Sequence, residues 1–274
     1  MPIIKKKPDL VLNYEFDDFT DPWENRPYLL LQHGNGRSSK FWYRWLPYLV
    51  QHYRIIRPDI RGLGKSKGNW DTNTDFTLEA IIDDIISVLD DAEATTIHFC
   101  GESMGGILGL VLAAIFPDRI RSLTLVAAPV FIEQKMKDRY ALGYSSRIEA
   151  MQKLGIKEWV ATTTKITRLP ADEEPGLYQW YVEEFAKEDP EVQIAMSRLV
   201  NKANAKDFLS QINVPVLGLY PTAGQITSDK QVDLLHEGLK DFNIVHLPTN
   251  YHMVHLLYPE LCTNALKQFL SKHS

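Results

Sequence analysis

The chain has 274 residues, 45% of them apolar and 24% charged, with 30 Lys plus Arg against 35 Asp plus Glu and a formal net charge of -5. Single cores stop growing near roughly 250 to 300 residues, so one large domain or a core with an insertion is favoured, and this composition excludes disorder, collagen-like repeats and a disulfide scaffold. An acidic balance gives no electrostatic reason to expect nucleic acid or an anionic membrane as a partner.

The two cysteines, Cys100 and Cys262, form neither a CxxC pair nor a metal-ligand cluster, so a reduced, intracellular protein without a metal site is expected. MPIIKKKPDL lacks the apolar run of about 7 to 15 residues that a signal peptide needs, and no window reaches the roughly 18 apolar residues of a membrane span. The expectation is a soluble, cytoplasmic protein that acts on a small molecule.

Strand signals fall at about 9 to 16, 27 to 33, 53 to 58, 95 to 100, 121 to 127, 214 to 220 and 242 to 247, alternating with helix-period segments. That alternation predicts an α/β fold with a mostly parallel central sheet and helices on both faces. YLLLQ, TIHFC, LTLVA and VPVLGLY are continuous apolar runs, as strands covered on both sides must be. Helices are predicted at about 40 to 51, from Thr77 through TLEAIIDDIISVLDD, and at 103 to 117, 229 to 240 and 256 to 271. Between Phe131 and Gln211 the pattern is helical and rich in charge and aromatics, so the chain divides into core residues 1–130, a helical cap at 131–211 and core residues 212–274.

The sharpest motif is Gly101-Glu102-Ser103-Met104-Gly105-Gly106, set directly after TIHFC and directly before the apolar run MGGILGLVLAAIF. A serine at the tip of a tight strand-to-helix turn needs glycines two before and two after so that strand and helix can approach. Its hydroxyl then stands at a helix N-terminus, which favours developing negative charge. Glu102 occupies the motif's variable place and reads as a side chain packed or solvated behind the turn. His33-Gly34-Asn35-Gly36 follows YLLLQ, RPDIRGLGKS follows the next strand, and LPTNYHMVHLLYPE follows the last one.

In these segments and in their order the chain resembles the α/β-hydrolase superfamily over nearly its whole length. The resemblance implies Ser103 as nucleophile, His252 as base, and the backbone N–H groups of Asn35 and Met104 as the oxyanion hole, with no cofactor or metal. His255 is read as a packing or pocket-edge residue, His98 as a core histidine, and Asp59 and Arg61 as structural. The family's usual acid positions hold Gly224 and Ala127 here, so the acid is unassigned. Glu133 and Asp229 are the candidates for a displaced acid. A Ser-His dyad with Thr222, Gln225 or water orienting His252 is a second possibility, and loss of hydrolysis a third.

The function expected is a serine hydrolase cleaving a small carboxylic ester or lactone, with amide or carbon-carbon bonds also within the superfamily's range. Trp159, Tyr178, Trp180 and Tyr181 in the cap offer aromatic surface for substrate. The alternative is a ligand-binding or receptor-like protein on the same fold with weak or no hydrolysis. A cofactor-free lyase or oxygenase using His252 as base is a weaker option.

Overall fold

The computed structural model describes residues 3–7, 9–224 and 226–273. Its centre is an eight-stranded sheet of β1 (Ile3–Lys7), β2 (Leu10–Asp17), β3 (Tyr28–Gln32), β4 (Arg54–Pro58), β5 (Ile97–Glu102), β6 (Ile120–Val126), β7 (Val216–Pro221) and β8 (Phe242–Leu247). The spatial order is β1-β2-β4-β3-β5-β6-β7-β8, with β1–β2 and β2–β4 antiparallel and every later pairing parallel. Seven strands were predicted within two residues at either end. The edge strand β1 was not, because IIKKK neither alternates nor forms an apolar run.

The helices are α1 (Leu46–Leu49), α2 (Leu78–Asp91), α3 (Met104–Ile115), α4 (Gln134–Ala141), α5 (Arg147–Leu154), α6 (Ile156–Thr167), α7 (Pro175–Ala186), α8 (Pro190–Lys202), α9 (Asp229–Gly238), α10 (Val254–Leu257) and α11 (Pro259–Leu270). Thr77 caps α2 by accepting from the Ala80 N–H, and the helix buries Ile81, Ile82, Ile85, Val88 and Leu89 against the sheet. Each such burial stabilises by roughly 1.5 to 3 kcal/mol relative to exposure. α2, α3 and α9 pack on one face, while α1, α10 and α11 pack on the other with Leu29, Leu31, Ile55 and Leu219. The helix expected over 40–51 is instead a 3₁₀ turn, Ser39–Trp42, followed by the single turn of α1.

Helices α4 to α8 lie between β6 and β7, and the described residues there contribute no sheet strand, only an isolated bridge from Phe131 to Asn204. Trp159, Tyr181, Val182 and Phe185 from these helices form an apolar cluster with Phe41, Met253 and Leu256 from the sheet's flank. That cluster packs the inserted helices against the turn at Phe41 and against the start of α10. Among the described residues no helix is long and apolar enough to cross a membrane.

Candidate active site

Ser103 joins β5 to α3 with φ 54° and ψ -118°, a backbone conformation that side chains other than glycine rarely adopt. Its N–H donates to the Val126 carbonyl, 2.9 Å, and its carbonyl accepts from Gly106, 2.9 Å. The flanking glycines are required by space. A Cβ on Gly101 would lie 2.2 Å from the Gly105 carbonyl oxygen, and one on Gly105 would lie 2.4 Å from that of Gln32. The strain and the two close approaches together hold the hydroxyl at the tip, half-buried. Met104 is the first residue of α3, where the N–H has no partner within the helix.

Glu102 was read from the sequence as packed or solvated behind the turn, and the structure corrects this. It is buried, but its carboxylate is the centre of a charged cluster. Oε1 lies 3.2 Å from Nε2 of His252, and Oε2 accepts from the Gly34 N–H at 3.1 Å and from the Arg37 guanidinium. Arg37 also donates to the Tyr181 hydroxyl, 3.0 Å, on α7. Burial alone would raise the Glu102 pKa, but Arg37 and then His252 reverse this, so the carboxylate is held well below its ordinary range. The His252 pKa is lowered, first by burial, against which Glu102 pulls it back up. The pair is therefore a carboxylate beside a neutral imidazole at neutral pH.

His252 is held by the inserted helices as well as by its own loop. Its N–H donates to the Thr167 carbonyl, 3.0 Å, and that of Met253 to the Arg168 carbonyl, 3.2 Å. The side-chain contact of His252 is to Glu102. The hydrogen bonds of the described residues do not join its ring to Ser103. His255 packs on Trp42 and Trp45, ring centroids 4.9 and 6.4 Å away, and burial lowers its pKa to about 3. His98 contacts the Ser122 hydroxyl at 2.8 Å in the core.

The acid candidates named from the sequence stand elsewhere. Glu133 accepts from the Ser228 hydroxyl, 2.7 Å, and Asp229 opens α9; together they line a cleft of about 330 Å³ with Lys135 and Arg139. Neither is the carboxylate that contacts His252. At Gly224 a Cβ would meet the Thr227 carbonyl oxygen at 2.6 Å, so no acid fits that position without a loop shift. Ala127 is fully buried with φ 48°, and its N–H is spent on Leu219. Thr222 turns its hydroxyl to the Leu247 carbonyl, 2.9 Å, and Gln225 lies outside the described residues.

In the loop after β3, Asn35 is buried and its side-chain Oδ1 has no hydrogen-bond partner. The His33 ring ties this loop to its neighbour: Nδ1 contacts the Gly34 carbonyl at 2.8 Å and Nε2 accepts from the Ile60 N–H at 3.0 Å. Asp59 accepts from Asn13, Ser39 and Lys65, and Arg61 pairs with Asp84 at 2.6 Å, both structural placements. Trp159 is enclosed with its indole N–H on the Tyr140 carbonyl, 2.9 Å, and Tyr178 donates to the Ala161 carbonyl, 3.0 Å. Trp180 packs on Phe41, ring centroids 4.8 Å apart, and Tyr181 meets the same ring edge-on at 5.3 Å.

Comparison with known proteins agrees with this architecture. Residues 27–162 match a family model described as the alpha/beta hydrolase fold. The chain is 28% identical over 211 residues to a 3-oxoadipate enol-lactonase of Acinetobacter baylyi, covering 75% of this chain and 74% of that protein. It is 24% identical over 252 residues to a strigolactone esterase of Pisum sativum, covering 89% and 93%. An enol-lactonase structure from Burkholderia xenovorans superposes with a TM-score of 0.84 at 22% identity, over 96% of this chain and 97% of the other. A strained serine between a parallel strand and an apolar helix, within a sheet of this order, makes the chain a member of the α/β-hydrolase superfamily.

Proposed function

We propose that the protein is a serine hydrolase that cleaves a small carboxylic ester or lactone through an acyl-enzyme on Ser103. The observation that carries this reading is the strained Ser103 turn set beside a neutral His252 whose ring contacts the Glu102 carboxylate. In the first step Ser103 Oγ bonds to the substrate carbonyl carbon while its proton passes to His252. The imidazolium then gives that proton to the departing alkoxide as the ester C–O bond breaks. Water, deprotonated by His252, adds to the acyl carbon and releases the acid and Ser103. Backbone N–H groups of Met104 and Asn35 hold the oxyanion, an arrangement in which one donor is commonly worth about 10²- to 10³-fold in rate.

In this reading Glu102 takes the place of the acid that the sequence did not supply elsewhere. It is a positioning residue: it acts on the imidazole, fixing its orientation and stabilising its charged form. Residues 131–211 form a cap over a core of 1–130 and 212–274. The relatives named as an enol-lactonase and an esterase support ester or lactone chemistry for the chain. The receptor-like alternative drew its weight from a missing acid, and a buried carboxylate at His252 removes that argument.

A serine-directed phosphonate followed by intact-mass and peptide mass spectrometry tests the proposal. The expected result is one adduct on Ser103 that is lost in His252→Ala; folded wild-type protein without an adduct overturns it.

A further inference from the structure

Arg147 opens α5 and Arg168 follows the end of α6, yet their side chains converge on the same two rings. The guanidinium carbon of Arg147 lies 4.7 Å from the Tyr140 ring centroid and 5.1 Å from that of Trp159. That of Arg168 lies 4.8 and 5.6 Å from the same centroids. Both residues are enclosed, at 4% and 3% exposure. Two cations therefore share one aromatic wall away from bulk water.

The chain neutralises its other buried arginines with carboxylates. Arg37 has Glu102, Arg57 has Asp17 and Arg61 has Asp84. Among the described residues Arg147 and Arg168 form no such ion pair. Arg168 donates to the Thr163 hydroxyl at 2.7 Å, and Nε of Arg147 is buried without a hydrogen-bond partner. Burial, with Arg168 and Arg37 adding to it against the opposing pull of Tyr140 and Tyr181, brings the Arg147 pKa down to about 10. At that value Arg147 still carries its charge at neutral pH. Ring faces offset a buried cation only in part, and uncompensated buried charge is costly, so the arrangement is one anion short.

Arg168 adjoins the loop that carries His252, and Arg147 shares its aromatic wall. The Arg168 carbonyl accepts from Met253, one residue after His252, and the charges of Arg37 and Arg168 both act on the His252 ring. We infer that Arg147 and Arg168 bind a carboxylate of the substrate, so that the compound hydrolysed is an ester or lactone carrying a free carboxylate remote from the scissile carbonyl. Planar guanidinium groups present paired donors to a carboxylate, which fixes orientation as well as affinity. The substrate class rests on the serine-hydrolase reading above, whereas the anion site stands independently of it.

The test compares monomethyl esters of the dicarboxylic acids from malonic to suberic with the corresponding dimethyl esters. For the wild type, at least one half-ester is expected to exceed its diester in kcat/KM by about tenfold or more, and Arg147→Gln should reduce that ratio roughly 10- to 100-fold, chiefly through KM. Diesters preferred throughout, or a ratio untouched in Arg147→Gln, overturns the inference. If that variant does not fold, the wild-type ratio alone decides. Calorimetry of the free dicarboxylates with Ser103→Ala separates the two readings. Binding that is lost in Ser103→Ala/Arg147→Gln, from a protein that neither cleaves esters nor takes up phosphonate, keeps the anion site and removes the hydrolase; phosphonate labelling without half-ester preference or dicarboxylate binding does the reverse.

Discussion

Arg37 and Glu102 form an ion pair from which water is almost wholly excluded, with side-chain exposures of 3% and 1%. One residue comes from the loop after β3 and the other immediately precedes Ser103, so the pair braces that loop against the Ser103 turn. Its second carboxylate oxygen faces His252. A single substitution at Glu102 therefore reaches fold and chemistry together.

The chemical part is separable by pH. Glu102 raises the His252 pKa while burial, the larger influence, lowers it below the ordinary 6.5. Because the base must be neutral, wild-type kcat/KM should climb with pH and reach its plateau from a limb below 6.5. In Glu102→Gln the raising influence is gone, so the limb should move to still lower pH while plateau kcat/KM falls by about 10²- to 10⁴-fold. A pH-rate profile whose limb does not move would reduce Glu102 to a structural role.

Stability separates the other part. Glu102→Gln leaves the Arg37 guanidinium buried without its carboxylate, a loss expected to cost about 3 to 5 kcal/mol in urea unfolding. Arg37→Met/Glu102→Gln removes both charges and should recover most of that stability while activity stays low. A double variant as unstable as the single one would show that the charges are not what holds the loop.

Supplying the acid at the family's usual place should not help. In Gly224→Asp the new Cβ meets the Thr227 carbonyl oxygen, and overpacking of this kind costs about 1 to 3 kcal/mol. Turnover in Gly224→Asp is expected at or below wild type, and Glu133→Gln and Asp229→Asn should each stay within about twofold of it. A gain in Gly224→Asp, or a large loss in either of the others, would point to an acid other than Glu102.

Acid should unfold the protein early. His252, His255, His33 and His98 all have pKa values lowered from 6.5 primarily by burial, with His255 at about 3 and His98 at about 4. Between 6.5 and those values the unfolded chain binds more protons, so stability declines as pH falls, by up to about 1.4 kcal/mol per pH unit for each group. Glu102 adds to the decline below its ordinary 4.5, since its folded pKa is lowered as well. Urea midpoints measured from pH 7.5 down to 4 should fall steadily from about pH 6.5; a flat profile would mean that these rings are not buried neutral.

Most of the sheet was legible because buried parallel strands are short apolar runs, and LTLVA or VPVLGLY carry that signature unaided. Ser103 was legible because the turn it occupies demands Gly101 and Gly105 at fixed spacing. Glu102 was not, since a motif treats its place as free and periodicity says nothing about where a carboxylate at a strand end points. One signal was present: a charged residue ending a strand as apolar as TIHFC must find a counter-charge, and Arg37, next after HGNG, was available to supply it. Nothing in the sequence singles out Arg147 and Arg168, and only the fold of the inserted helices turns them inward.

The two backbone bonds from His252 and Met253 to the end of α6 bear on engineering. Helices α4 to α8 form one continuous segment between β6 and β7 that could be exchanged as a unit. Here the donor segment would have to reproduce two carbonyl groups at the Thr167 and Arg168 positions, or the recipient's histidine would lose its mooring. A chimera built on side-chain choice alone would displace His252 before it altered selectivity.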